Sequence, residues 1–468
     1  MPNAAPRKTY EVVIIGGGAS GTALLYSLAK YGKIGSIALV EKYAKPGQVN
    51  SKSSSNSQTL HVGDIETNYP LEKVKQVYPA AMMVARYGLS LPPAERDSFL
   101  FPMPKMVIGV GKAETAVIEK RFADLKPVFP QLNLLTRAEI TQAEPAVVKG
   151  RPENEPINAL HTVSGYAVDF ESLAAQLVSH AKTLRPDVDV LFNHEVVTLM
   201  KTQDGHDLRM KDGSVISTRV LVVDADSYSL LLAKQLGYGK EFSLIPISGS
   251  FFFTRKVLHG KVYTVQDPKL PFAAVHGDPD VRALDAGTRF GPTAGFMPVL
   301  EARNLRTLPD FVRSSGFERL ATWLSFVAIL LDPVRFTYLL KNMLYELPVV
   351  GRMMFVKNVR KIVPNMRYQD VHIAKGYGGM RLQRVDTRTR ELLLGEGKIM
   401  GDRAIFNMTP SPGASVCLYN AMRDAQSVAK FLGNDALFDG AAMAKDLYKT
   451  LDEAAVGVDV SLKTSYAS

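Results

Sequence analysis

Six consecutive residues near the start of the chain, Gly16-Gly17-Gly18-Ala19-Ser20-Gly21, and an acid 20 residues beyond the last of them, Glu41, have the types and spacing that hold a dinucleotide. Gly16 permits a tight turn, Gly18 lets the backbone approach a pyrophosphate, and Gly21 lets the next helix pack on its strand. Ala19 and Ser20 open that helix, whose free N–H groups and positive dipole end suit phosphate oxygens. Glu41 can accept hydrogen bonds from a ribose, and its charge disfavours a 2′-phosphate.

The elements needed to position these groups can be read around them. Tyr10–Ile15 predicts an apolar strand, Thr22–Tyr31 a helix and Ser36–Val40 a second strand ending at Glu41. The motif sits almost at the N-terminus of 468 residues, and far more chain follows than one nucleotide domain needs. That layout favours a two-domain, discontinuous FAD enzyme, with NAD as the alternative cofactor.

Composition narrows the class. With 46% hydrophobic and 22% charged residues, the chain can build two sizeable cores. The net charge of +10 suits anionic substrates or anionic lipid, and no basic tract accompanies it that would suggest nucleic acid. A single cysteine, Cys417, excludes an internal disulfide or a CxxC centre; it reads as a packing residue. No metal-ligand cluster is visible. The longest apolar run lies within Ala321–Leu331, too short to span a bilayer, and no targeting segment precedes the first strand. These features predict a protein on the cytoplasmic side, soluble or peripheral.

Helices are expected at Tyr78–Leu89, Lys112–Leu125, Asp169–Thr183 and Ala414–Leu432, with a Pro-rich connection at Leu91–Pro104. The serine-rich stretch 51–57 reads as a loop. Val188–Leu191, Glu195–Thr202, Asp207–Lys211, Ser214–Asp224 and Arg403–Met408 read as strands, and Ser214–Asp224 is expected to return to the nucleotide sheet. Phe251–Thr254, Val262–Val265 and Phe272–Val275 predict a second, antiparallel sheet. Phe317–Tyr345 is helical and very apolar, broken at Pro333. The predicted organisation is a nucleotide domain at 1–75, 155–235 and 370–468, and a substrate domain at 76–154 and 236–369.

Several segments go further. Asn56-Ser57-Gln58-Thr59-Leu60-His61-Val62-Gly63-Asp64-Ile65-Glu66-Thr67-Asn68-Tyr69, the run from Val262 to Asp280, Thr288-Arg289-Phe290-Gly291-Pro292-Thr293-Ala294 and Phe406 to Ser415 together resemble the malate:quinone oxidoreductases, most closely the shorter type. The resemblance implies an α/β fold with a glutathione-reductase-type, Rossmann-like FAD-binding domain and an α+β substrate domain on an antiparallel sheet. It also implies oxidation of L-malate to oxaloacetate and reduction of a membrane quinone. Asn56, Ser57, Gln58, Thr59, Gly379, Pro412, Gly413, Ala414 and Ser415 would then contact FAD, the last few at the opening of the final helix, aimed at the flavin pyrimidine.

Oxidising a 2-hydroxy acid needs a base for the hydroxyl proton. His276, at the end of the predicted strand Phe272–Val275 and before a Gly-Asp-Pro turn, is the candidate, with Asp278 to orient its ring. From spacing alone the favoured reading is a strand-end histidine satisfied by backbone; the role of base is what the resemblance implies. Malate's two carboxylates call for fixed cations: Arg381, after the Gly376–Met380 turn, and Arg289 are expected to supply them. His61 is expected to touch substrate or flavin. Thr322–Leu331, containing the only Trp and followed by Arg335, Lys341 and Arg352, reads either as a membrane-surface segment or as a core helix.

Two departures from the family pattern stand out: Asp224-Ala225-Asp226 where relatives carry Ala-Gly, and Leu382 where they carry proline. Asp226 opens the alternative of a non-catalytic relative that has lost FAD. The other alternative is an FAD enzyme for a different 2-hydroxy dicarboxylate, such as L-2-hydroxyglutarate.

Overall fold

The strand Lys8–Ile15 is buried from Val12 to Ile15, and parallel partners flank it on both sides: Ile37–Val40 and Val215–Val223. The computed structural model describes residues 8–67, 69–266, 275–282, 287–347, 349–393, 395–408 and 412–449. Asp189–Leu191 extends the sheet beyond Ile37–Val40, and Ala404–Met408 extends it beyond Val215–Val223, which makes five parallel strands. Gly397–Gly401 closes that edge antiparallel, and a meander of Val196–Lys201 and His206–Met210 feeds into the first half of Val215–Val223. Strands such as Ile37–Val40, with all four side chains buried, are apolar throughout because helices cover both faces of the sheet. Ala19–Tyr31, Phe170–Leu184 and Cys417–Phe431 pack on one face; Ser227–Gln235 and Phe311 lie on the other.

The second layer is a mixed sheet in the order His372–Ile373, Phe252–Thr254, Thr288–Gly291, His276–Pro279, Lys261–Thr264, Lys105–Val110, Ile157–Thr162, Asn133–Leu135. Every pair in it is antiparallel except Lys105–Val110 with Lys261–Thr264. A four-stranded antiparallel sheet, Gly295–Phe296, Phe242–Ser248, Met380–Asp386 and Glu391–Leu393, joins the two layers.

The structure departs from the sequence expectations at definable places. The helix predicted from Tyr78 starts earlier and runs Leu71–Leu89, with Pro79 within it. Lys105–Val110, to which the sequence reading assigns no element, is a buried strand directly after the proline-rich connection. The expected strand Phe272–Val275 falls largely outside the described residues; the strand that is seen begins at His276, so His-Gly-Asp-Pro is a strand and not a turn. The final helix starts at Cys417, which leaves Gly413–Ser415 in the turn before it. Ile157–Thr162 pairs into the second sheet.

Pro333 opens the helix Pro333–Tyr345 after Leu320–Leu330, as the break predicts. The core-helix alternative for this stretch is corrected. Only Thr322, Ser325 and Ile329 of Leu320–Leu330 are buried, and its large apolar side chains face outward. Among the described residues no helix is long and apolar enough to cross a membrane.

Candidate active site

A cavity of ≈ 720 Å³ starts at the glycine turn and runs to His276 and Arg381. Gly16, Gly18, Ala19, Ser20 and Glu41 line its near end. Gly16 has φ +113°, and a Cβ there would run into the Asp224 carbonyl. Gly18 caps Ala19–Tyr31, so the helix N-terminus faces the cavity, while Ser51 Oγ accepts from Ala19 N at 3.0 Å. Gly21 does not line the cavity; it lies against the Gly16 carbonyl, the packing role expected of a third glycine. Glu41 accepts from Gly17 N at 2.6 Å and Tyr43 N at 2.9 Å, and burial pushes its carboxyl up.

Both acids of the Asp-Ala-Asp departure line this end. Asp224 accepts from Asn407 Nδ2 at 2.8 Å, and burial, reinforced by Asp424, raises its carboxyl to about 7. Asp226 sits at φ +45°, a conformation that suits glycine better than a residue with a side chain, and its carboxylate accepts from Asn50 Nδ2 at 2.6 Å. Asn50 Oδ1 in turn accepts from Met380 N at 3.1 Å, so the charge is held within a loop contact.

Asn56, Ser57, Gln58 and Thr59 line the middle of the cavity. Gln58 ties this loop to the second sheet: its amide donates to Asp280 at 3.0 Å and accepts from Arg289 at 2.9 Å. Thr59 Oγ1 lies 2.7 Å from the Tyr263 hydroxyl. Gly379 borders the same region, where a Cβ would meet the Ser55 carbonyl. Pro412, Ala414 and Ser415 line the opposite wall, whereas Gly413 does not. Ser415 Oγ accepts from His61 N at 3.1 Å.

At the far end His276, 2% exposed, stands across the strand pair from Tyr263, with ring centroids 4.7 Å apart. Its Nε2 lies 3.7 Å from Asp278 Oδ1. Asp278 Oδ2 accepts from Lys261 Nζ at 2.8 Å and from Arg289 Nη2 at 2.5 Å, all three side chains fully buried. Burial opposes charge on Asp278, but Arg289 and Lys261 outweigh it and hold the carboxyl at about 2. Burial pushes Lys261 down to about 8. Arg289 is therefore not a cavity cation. It faces Asp278 across the strand pair and does not line the cavity, so the structure does not bring it to the cavity wall with Arg381.

Arg381 does line the cavity, and burial lowers the pKa of its guanidinium. Of the four Lys and Arg side chains that line the cavity among the described residues, Lys42 is paired with Glu301 and Arg313 with Asp310. Arg381 and Lys73 have no ion pair among the described residues, and Lys73 Nζ stands 4.0 Å above the Tyr69 ring. His61 also reaches the cavity, with Nδ1 3.0 Å from Glu66 Oε1. Burial opposes charge on Glu66, yet His61 and Lys105 hold its carboxyl at about 2. Sequence reasoning missed Tyr263, Glu66, Lys73 and Lys261. The first two lie inside quoted family segments and Lys261 immediately precedes one; Lys73, on a helix, gave no signal. Among the described residues no His, Cys, Asp and Glu cluster could hold a metal.

The sequence pattern of the malate:quinone oxidoreductases matches residues 8–428. The chain belongs to the malate:quinone oxidoreductase family. It is 42% identical over 439 residues to a probable malate:quinone oxidoreductase of Campylobacter jejuni, covering 91% of this chain and 97% of that one. It is 38% identical over 446 residues to the malate:quinone oxidoreductase of Helicobacter pylori, covering 94% and 98%. In fold it is similar to an FAD-bound L-α-glycerophosphate oxidase from Mycoplasma pneumoniae, with TM-score 0.63, 18% identity and coverage of 90% and 95%. A glycine oxidase from Geobacillus kaustophilus is similar at TM-score 0.62 and 16% identity, with coverage of 93% and 98%. This member of the family is an FAD-dependent oxidoreductase, and its cavity fits that cofactor: the helix N-terminus faces the cavity beside Gly18, which carries no side chain there, and Gly16 lets the turn close against the backbone of Asp224.

Proposed function

We propose that this chain oxidises L-malate to oxaloacetate and gives the electrons to a quinone, working peripherally on the cytoplasmic face of a membrane. Bound FAD supplies the two-electron acceptor such chemistry needs. One arrangement carries the reading: an imidazole backed by a buried carboxylate shares a cavity with two cations that lack ion-pair partners among the described residues. His276 takes the malate hydroxyl proton as the C2–O bond becomes a carbonyl, and Asp278 stabilises the imidazolium that results. Arg381 and Lys73 hold the two carboxylates, and Arg289 and Lys261 keep Asp278 ionised. Tyr263 and Phe251 flank the His276 ring and keep water from it.

Gly16, Gly18, Ala19, Ser20 and Glu41 would hold the adenosine and pyrophosphate part of FAD; Asn56–Thr59, Gly379, Pro412, Ala414 and Ser415 would hold the flavin part. We divide the chain into an FAD domain of 1–75, 155–235 and 370–468 and a substrate domain of 76–154 and 236–369. The strands Ile157–Thr162, His372–Ile373, Met380–Asp386 and Glu391–Leu393 pass to the substrate side.

Anaerobic titration of the purified protein with L-malate tests the reading. Bleaching of the long-wavelength flavin absorbance is expected. A yellow protein bleached by L-2-hydroxyglutarate but not by malate would move the substrate, and a colourless protein would remove the cofactor.

A further inference from the structure

Seventeen of the 27 exposed large apolar side chains among the described residues lie between Leu305 and Met353, about a tenth of the chain. That density marks a surface built to meet something other than water. On Leu320–Leu330 and the residue after it the outward set is Leu320, Trp323, Leu324, Val327, Leu330 and Leu331, 41–75% exposed. Its spacing is that of one helix face, while Thr322 and Ser325 point inward. The helix is amphipathic in reverse. Pro333–Tyr345 continues the face with Phe336, Leu340 and Met343, each about half exposed. On Val350–Ile362 the outward row passes from Met353, 58% exposed, to the exposed cations Lys357 and Arg360. From Arg303 to Lys361 there are ten Lys and Arg against four Asp and Glu, so this stretch holds +6 of the net +10.

The inner side of the same helices forms the wall of the active cavity. Ile247 and Ala294, which line the cavity, share a core cluster with Ile329, Phe326, Tyr338 and Leu339. Asn342 Oδ1 accepts from Ala294 N at 2.8 Å, and Glu346 accepts from Thr293 Oγ1 at 2.7 Å.

From this we infer that the outward face of Leu320–Leu330, Pro333–Tyr345 and Val350–Ile362 is the surface on which the protein seats on an anionic lipid bilayer, a reading that rests on the proposed quinone reduction. Apolar side chains enter the acyl boundary, and the cations meet anionic headgroups. Seated so, the bilayer lies one helix thickness from the cavity, about 10 Å, close enough for a quinone in the lipid to approach the flavin site.

Trp323 reports directly: it is the only tryptophan, it is 54% exposed, and its Nε1 donates to the Phe317 carbonyl at 2.9 Å. With the FAD-loaded enzyme and phosphatidylcholine–phosphatidylglycerol vesicles, Trp323 emission should shift to the blue and be quenched by brominated acyl chains. Pure phosphatidylcholine should give a weaker response. Val327→Asp and Leu331→Asp should weaken vesicle binding roughly ten- to hundredfold and leave malate oxidation with a water-soluble acceptor unchanged. Lys357→Glu with Arg360→Glu should weaken binding only to the anionic vesicles, and this variant serves if the apolar ones fold poorly. Vesicle binding without a Trp323 response would overturn the assignment by placing the lipid on another face. A concentration-dependent Trp323 shift without vesicles would overturn it by giving the face to a second copy of the chain. Malate bleaching is independent of these readouts, so failure of the oxidation chemistry and failure of this surface are told apart.

Discussion

Replacing Asp278 by Asn removes one buried negative charge and leaves the side-chain shape almost unchanged. In the native site that charge lies 3.7 Å from His276 Nε2. At an effective dielectric constant of about 20, a unit charge at that separation favours an imidazolium by about 4 kcal/mol. Lys261 at 2.8 Å and Arg289 at 2.5 Å share the same carboxylate, so between about 2 and 4 kcal/mol is the expected loss, or roughly 30- to 1000-fold in rate. The assay is anaerobic stopped-flow bleaching of the flavin at saturating malate, which isolates substrate oxidation from quinone reduction. Asp280→Asn is the control. Its carboxylate is engaged by Gln58 and Tyr377, and it should change the rate by less than about tenfold. Asp278→Asn also strands Lys261 and Arg289 without a counter-charge, a loss of about 3–5 kcal/mol in stability. The double variant Asp278→Asn, Lys261→Met should recover much of that stability while the rate deficit persists. An Asp278→Asn enzyme with full FAD content and a rate within about threefold of the native one would refute the electrostatic account of His276.

Four further outcomes are expected. Arg381→Ala should raise the malate Kd about tenfold or more, and Lys73→Met should raise it less; with a 2-hydroxy monocarboxylate one of these two losses should vanish, as binding isotherms would show. Asp226→Gly relieves a positive-φ residue, worth about 1–3 kcal/mol, and removes a carboxylate from the cavity, so FAD should dissociate more slowly on dilution, followed by flavin fluorescence. The Asp278 carboxyl, at about 2 when folded against 3.8 unfolded, stabilises the protein by about 2 kcal/mol above pH 4, a contribution lost as pH falls through about 2; circular dichroism of native and Asp278→Asn protein across that window should show the variant losing less. Cys417 is buried with its thiol pushed up to about 12 by burial, so it should resist alkylation at pH 8 until the protein unfolds, as mass spectrometry would reveal.

The nucleotide half of the site was legible because its chemistry is local: turn, helix start and Glu41 lie within one βαβ unit, and the structure keeps them in register. The substrate half depends on pairing between strands. Asp278 and Arg289 are eleven residues apart and meet only because their strands align them, so a motif that marks both cannot say that each is the other's partner. Lys261 reaches Asp278 by the same route, from the strand that pairs with His276–Pro279. The apolar helices admit two readings from sequence. Hydrophobicity on every side argues for burial, but here only the narrow row of Thr322, Ser325 and Ile329 is covered.

The order of strands in the parallel sheet bears on how the enzyme is made. Lys8–Ile15 emerges from the ribosome well before its partners: one neighbour, Val215–Val223, follows about two hundred residues later, and Ala404–Met408 follows nearly two hundred after that. Loops of that length close slowly and leave strand edges exposed meanwhile. No stretch of nascent chain contains a finished nucleotide cradle, because Gly16 is completed by the backbone of Asp224 and Asp224 by Asn407. Cofactor capture therefore waits until Asn407 has been made, and a chain cut short before Ala404 would leave the ribosome unable to keep its flavin.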